Sequence, residues 1–188
     1  MAEATYTFAP VTPERWADVE DLFRDSSYPQ RCWCAYWYLP NKDFREGWGE
    51  GNRVTLEAKV KSGRPPGLLA YDGGMPVGWC AMAPRREHDR LNRSKPFAAI
   101  DDEEAWSITC FVVRKGYRRK GLMRRLIGAA VEHGREQGAV VLEGYPVEVK
   151  GKSGRSELYF GSLRAFLDNG FVEVARPLPA RPMVRRNL

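Results

Sequence analysis

The spacing of apolar and polar positions divides the chain into short strand-like runs and a few helical stripes. Thr5 to Val11 reads as a first strand. Thr12-Pro13 then offers an N-cap and a first helical position, and Trp16, Val19, Leu22 and Phe23 recur at helical spacing. Asn52 is placed to cap a helix through Leu56 to Lys61, closed by Gly63 and stopped by Pro65-Pro66. Gly67 to Tyr71 and Met75 to Ala83 read as strands joined by the hairpin signal Asp72-Gly73-Gly74. Pro84 to Ala99 is polar and basic and reads as a long surface connection, with His88 a solvated loop histidine. Ile108 to Val113 has the length and β-branched content of a buried central strand. Leu122, Leu126, Ala129 or Ala130 and His133 then mark a helix ending near Gly138. Ala139 to Glu143 reads as the next strand, broken by Gly144-Tyr145-Pro146, and Lys150 to Glu157 as a mobile loop. Phe171 to Ala175 and Met183 to Arg185 finish as two strands around a proline-rich turn. The count is about seven strands of mixed direction and about four helices, an α/β sheet.

A length of 188 residues suits one domain, residues 1–188, that buries roughly 70% of its extended-chain surface. The opening MAEATYTFAP lacks the basic region and apolar core of a signal peptide, and no apolar run approaches a membrane span. The expected location is the cytoplasm, with no membrane partner, as a monomer or homodimer. Cys32, Cys34, Cys80 and Cys110 do not form a secreted disulfide framework, and CWC is too tight for zinc-ligand spacing. Buried, reduced thiols and no metal are the expectation.

The net charge of +6 points to an anionic ligand, and its placement matters more than its size. Seven of the twelve residues from Arg114 to Arg125 are basic, directly between the central strand and its helix. Arginines in the first turn of a helix oppose the macrodipole unless a polyanion lies among them, and Gly121 permits close backbone approach to a ligand. The acidic block Asp101 to Glu104 argues against the spread basic stripe of a nucleic-acid binder, so no nucleic-acid partner is expected. That class stays as an alternative, identifiable by salt-sensitive binding indifferent to acyl-CoA. Cys32, Trp33, Cys34, Tyr36, Trp37, Tyr38, Phe44 and Trp48 crowd the 26–48 region, either as a loop packed on the core or as a wall of an acceptor pocket.

Arg118-Arg119-Lys120-Gly121-Leu122-Met123 resembles the R-x-x-G-x-G/A loop of the GCN5-related N-acetyltransferases (GNAT), and Tyr159-Phe160-Gly161 through Phe166 to Asn169-Gly170-Phe171 resembles their late helix and following strand. The resemblance implies the GNAT fold, with a seven-stranded sheet splayed between strands 4 and 5. It also implies acetyl-CoA as co-substrate and a primary amine on a small molecule or peptide as acceptor, attacking directly in a ternary complex. Phe111, Val112, Val113, Arg118, Arg119, Lys120, Gly121, Leu122, Met123 and Arg124 would hold the cofactor. In the same family the 26–48 region borders the acceptor, which makes Trp33 and Trp37, together with Trp79, candidate substrate-binding residues. Two departures stand out. Met123 replaces the small final residue of the loop, and Phe166 stands where a tyrosine often protonates the leaving thiolate. Glu104 acting through a water is therefore the first candidate base, ahead of Glu143 and Tyr145. Tyr159 is the candidate acid, ahead of Cys110. A catalytically silent acyl-CoA sensor is a further alternative.

Overall fold

The computed structural model describes residues 5–149 and 155–188. Its strands are β1 (Thr7–Pro10), β2 (Gly67–Asp72), β3 (Met75–Pro84), β4 (Ala105–Val113), β5 (Val141–Gly144), β6 (Val172–Leu178) and β7 (Arg181–Asn187). They form one sheet in the order β1-β2-β3-β4-β5-β7-β6. Every pairing is antiparallel except β4 with β5. The helices are α1 (Trp16–Arg24), α2 (Pro29–Cys32), α3 (Asn41–Glu46), α4 (Glu50–Lys61), α5 (Asp89–Asn92), α6 (Leu122–Glu136) and α7 (Leu163–Leu167). Three of these seven are long, where the apolar stripes predict about four, because α2, α3, α5 and α7 are too short to leave a periodic signature. No helix among the described residues is long and apolar enough to cross a membrane.

Each face of the sheet carries a core. On one face α6 lays Leu122, Leu126, Ile127, Ala130 and Val131 over Ile108 and Phe111 of β4. On the other, Val19, Leu22 and Phe23 of α1 and Leu56 and Val60 of α4 cover Trp79, Cys110 and Val112. Each large aliphatic side chain so buried contributes about 1.5–3 kcal/mol.

Two features of β4 create the site. Its parallel pairing with β5 covers only Ala105–Ile108 against Val141–Gly144, so Thr109–Val113 continue with β3 alone. The β3–β4 register also shifts at this point, Ala81 facing Cys110 and Met82 facing Ile108, which leaves Thr109 as an extra residue. A bulge of this kind reverses the inward–outward alternation beyond it. Trp106 and Ile108 face α6, and so does the odd-numbered Phe111 that follows; Cys110 and Val112 turn to the opposite face.

Several expected features change. Asn52 lies inside α4, which begins at Glu50, and its buried amide donates to Arg31 O and Phe44 O, both at 3.2 Å; it braces the preceding turns instead of capping. The 84–99 connection contains α5 and turns Arg85, His88, Leu91 and Phe97 inward. His88 is fully buried, its ring stacked on Tyr38 with centroids 4.9 Å apart, so it is not a loop histidine in solvent. Of the loop expected over 150–157, residues 150–154 lie outside the described residues, and the backbone of Arg155–Phe160 forms a 3-10 helix. The late helix starts at Leu163, with Ser162 as its cap, accepting from Ala165 N at 3.3 Å. Tyr159 precedes it.

Candidate active site

The site lies where β4 leaves β5, with one component beyond the end of the strand and another on the face opposite α6. At the strand's end a 3-10 turn, Lys115–Tyr117, leads to Arg119 and Gly121, both left-handed at φ 61° and 77°. α6 then begins with no side chain capping it. Among the described residues, no backbone carbonyl takes the amides of residues 119–124; the first bond of the new helix is Arg125 N to Gly121 O at 3.3 Å. Consecutive unpaired amides at a helix N-terminus form an anion-binding concavity. Arg118, Arg119, Lys120 and Arg124 are exposed around it, and among the described residues no carboxylate pairs with them. Arg118 Nε donates to Val113 O at 2.9 Å, which draws that guanidinium back along the strand. Lys120 lies over the Tyr117 ring at 5.4 Å, and Tyr117 donates to Asp72 at 2.8 Å, fixing the turn. Leu122 is buried in the α6 core and Met123 packs partly against it, so the methionine side chain is directed to the core.

The freed edge of β4 follows from strand alternation. Arg114 N donates to Val77 O at 3.0 Å toward β3. The main-chain groups of Val112 therefore also face β3, while those of Thr109, Phe111 and Val113 face the opening. Val112 can offer its side chain to a ligand but not its amide.

On the face opposite α6, a cavity of about 660 Å³ is walled by Tyr28, Pro29, Cys32, Cys34, Tyr36 and Trp37 from one segment, Cys110 and Val112 from β4, Tyr159 and Phe160 from the 3-10 helix, and Arg181 from β7. The first segment turns sharply because Trp33 and Cys34 are both left-handed, at φ 49° and 50°, a conformation that costs roughly 1–2 kcal/mol per residue. The turn brings Trp37 Nε1 to 3.1 Å from Thr109 O, which satisfies a carbonyl that β5 would otherwise have paired. Cys34 Sγ reaches Cys110 Sγ at 3.0 Å. Tyr159 stacks on Tyr28 with ring centroids 5.7 Å apart. Burial raises the phenol pKa values of both, Tyr28 to about 12. Arg181 lies over the Phe160 ring at 4.2 Å and donates to Tyr145 O at 3.2 Å.

The expected site residues distribute unevenly over these surfaces. Of the three tryptophans, only Trp37 lines the cavity. Trp33 is buried, stacked between Phe23 at 5.2 Å and Trp16 at 5.9 Å. Trp79 is fully buried with its edge against Phe23; both serve the core behind the wall. Glu104 is at the surface, paired with Arg86, and stands six residues before Cys110, about 20 Å along an extended strand. It does not line the cavity.

Glu143 and Tyr145 are committed elsewhere. Glu143 is fully buried and accepts from Arg85 Nη1 and Arg185 Nε, each at 2.7 Å, and from the Tyr145 hydroxyl at 2.5 Å. Tyr145 also meets Ser107 Oγ at 2.9 Å, and Arg185 reaches Asp101 at 2.9 Å. This network locks β5 to β4 where they still pair and leaves Glu143 no access to an acceptor. Phe166 is fully buried against Phe111 and Phe171, and a Cβ on Gly161 would lie 2.7 Å from its ring. The glycines at 144 and 161 thus make room for this ring at the point of divergence.

Sequence reasoning named Tyr36 among the possible wall residues and missed Tyr28, Phe160 and Arg181. The aromatic density of 26–48 signals such a wall, but nothing in the sequence links Arg181 to it across 150 positions.

No curated protein matches this chain. Solved structures do share its fold. The PaiA N-acetyltransferase of Thermoplasma acidophilum, in complex with coenzyme A, aligns over 98% of this chain and 99% of its own at 11% identity and TM-score 0.55. The polyamine N-acetyltransferase of Drosophila melanogaster, an enzyme that forms N-acetylagmatine, covers 98% and 100% at 13% identity and TM-score 0.62. A mosquito arylalkylamine N-acetyltransferase-like protein covers 98% and 100% at 12% and 0.63. The acetyltransferase (GNAT) family model matches residues 14–148, a span that includes the wall segment, the divergence of β4 from β5 and the basic loop. With that match over a splayed sheet and an uncapped, basic helix start, this chain belongs to the GNAT acetyltransferase family.

Proposed function

We propose that this acetyltransferase moves the acetyl group of acetyl-CoA to the primary amine of an acceptor with an apolar or aromatic body, by direct attack in a ternary complex. The observation that carries this reading is the placement of an anion-binding concavity and an aromatic cavity on either side of the freed half of β4. The amides of residues 119–124, with Arg118, Arg119, Lys120 and Arg124, hold the diphosphate. Phe111 and Val113 offer main-chain groups to the pantetheine arm, and we assign Val113 N–H to polarising the thioester carbonyl. A preorganised donor of this kind contributes roughly 3 kcal/mol.

Acetyl-CoA supplies an activated thioester, and the chain's own residues hold the amine and manage protons. Among the described residues no carboxylate lines the cavity, so a dedicated base is not part of the proposal. An aromatic enclosure disfavours the ammonium form by desolvation, and the amine enters neutral. Tyr159 keeps its proton, because burial raises its pKa, and is the group we assign to protonating the leaving thiolate. Phe166 has no hydroxyl for that role.

Calorimetry with acetyl-CoA, followed by thiol-release kinetics over a panel of amines, tests the reading. Binding together with turnover of aryl- or alkyl-substituted monoamines is expected, with a rate that rises with pH as the free amine is deprotonated. Tyr159→Phe should lower kcat by about 10²-fold with little change in KM. Binding without release on any amine would replace this reading with that of a silent acyl-CoA sensor.

A further inference from the structure

Three of the four cysteines converge on the acceptor cavity. Cys32, Cys34 and Cys110 all line it and all are free thiols. Cys80, also free, belongs to the core on the α6 face and stands apart from them. Cys34 reaches β4 only because it and Trp33 adopt left-handed backbone angles that side chains of their size rarely take. The bulge at Thr109 in turn directs Cys110 to the cavity face. Two independent backbone irregularities thus bring sulfurs 76 positions apart to 3.0 Å. A disulfide bond is about 2.05 Å long, so closing the gap asks for a movement of about 1 Å.

We propose that Cys34 and Cys110 form a reversible disulfide in exchange with a low-molecular-weight disulfide admitted through the acceptor cavity. The Cys110 thiol loses its proton and its sulfur attacks one sulfur of the small disulfide, releasing one small thiolate and leaving a mixed disulfide on β4. Cys34 loses its proton and attacks the Cys110 sulfur, and the second small thiolate leaves. Each thiolate takes up one of the two protons. Two protein thiols are oxidised to one disulfide, and one small disulfide is reduced to two thiols.

Burial holds Cys32 and Cys34 in the thiol form, with the Cys32 pKa raised to about 12, so they resist indiscriminate oxidation from bulk solvent. The product ties the wall segment to the central strand across the acceptor cavity. The cofactor loop lies beyond the end of β4, outside the linkage.

The test incubates the full-length protein with oxidised and reduced glutathione in graded ratio, followed by alkylation, intact mass and peptide mapping. The expected result is a species lighter by two hydrogen atoms, carrying a Cys34–Cys110 linked peptide, reversed by excess reduced glutathione. Thermal unfolding of that species should occur several degrees higher. Cys34→Ala and Cys110→Ala should each abolish it, while Cys32→Ala and Cys80→Ala should retain it. A link involving Cys32 or Cys80, or glutathione adducts with no internal link in the otherwise native protein, would overturn the proposal. This outcome does not depend on turnover of any amine, so it stands apart from the proposed reaction.

Discussion

The two halves of β4 belong to one strand and carry opposite chemistry. Ala105–Ile108 is bonded on both edges, and beside it Arg85, Arg185, Glu143, Asp101, Tyr145 and Ser107 form a closed set of ion pairs and hydrogen bonds. Thr109–Val113 is bonded on one edge, and on the other, side chains meet two carbonyls, Trp37 at Thr109 O and Arg118 at Val113 O. The first half spends its polar groups on cohesion. The second leaves them within reach of a ligand, and that is possible because the first half anchors β5.

The contrast can be broken most forcefully at Glu143. Glu143→Ala leaves two buried arginines without their shared carboxylate and should cost about 3–5 kcal/mol in denaturant unfolding. A loss near zero would mean that the network does not anchor the divergence.

Next comes acid sensitivity beside this half, at His88. Burial, with Lys59 and Arg85 nearby, pushes its pKa down from 6.5 to about 3, and Tyr38 stacks on its ring. The folded state favours the neutral ring, so between these values the unfolded chain binds a proton that the folded chain refuses. The contribution is complete above pH 6.5 and is lost as pH falls toward 3, amounting to several kcal/mol. His88→Phe should flatten that part of the stability–pH curve, and an unchanged curve would remove His88 as its source.

Beyond the other half, Gly121→Val should weaken acetyl-CoA binding about tenfold or more, since a β-branched residue resists φ 77° and would reshape the amide concavity. The melting temperature should fall by only a few degrees, because a Cβ there meets no atom within 4 Å and the loss is confined to the left-handed strain of roughly 1–2 kcal/mol. Unchanged affinity by calorimetry would contradict the loop assignment. The smallest effect is expected for Trp37→Phe, which removes the donor to Thr109 O and should cost about 1 kcal/mol while raising the acceptor KM.

The loop we assign to the cofactor was legible because its signal is local. Strand, basic turn, Gly121 and helix follow one another in sequence, and the amides left unpaired are those that any helix start leaves unpaired. The sheet was legible for a similar reason, through alternating runs and the Asp72-Gly73-Gly74 hairpin. The cavity we assign to the acceptor was only half visible. Aromatic density marked 26–48 as a wall, but which rings face the cavity is decided by left-handed angles at Trp33 and Cys34, by a bulge at Thr109 and by a return of the chain at Arg181. None of these has a periodic signature. Glu104 was misplaced by its nearness to β4 in sequence, since it precedes the strand at the end remote from the cavity and pairs with Arg86. His88 and Arg85 sat in a stretch that reads as polar, and only tertiary packing turns them inward.

The extra residue at Thr109 is one the sheet could lose without reshuffling its neighbours, because the adjacent Ala81 and Met82 already pair with Cys110 and Ile108 on either side of it. Removing that single codon would restore unbroken alternation and keep Cys110 and Val112 on one side and Phe111 beneath α6. What would go is the carbonyl that meets Trp37, so the inserted residue serves as a peg for the wall segment.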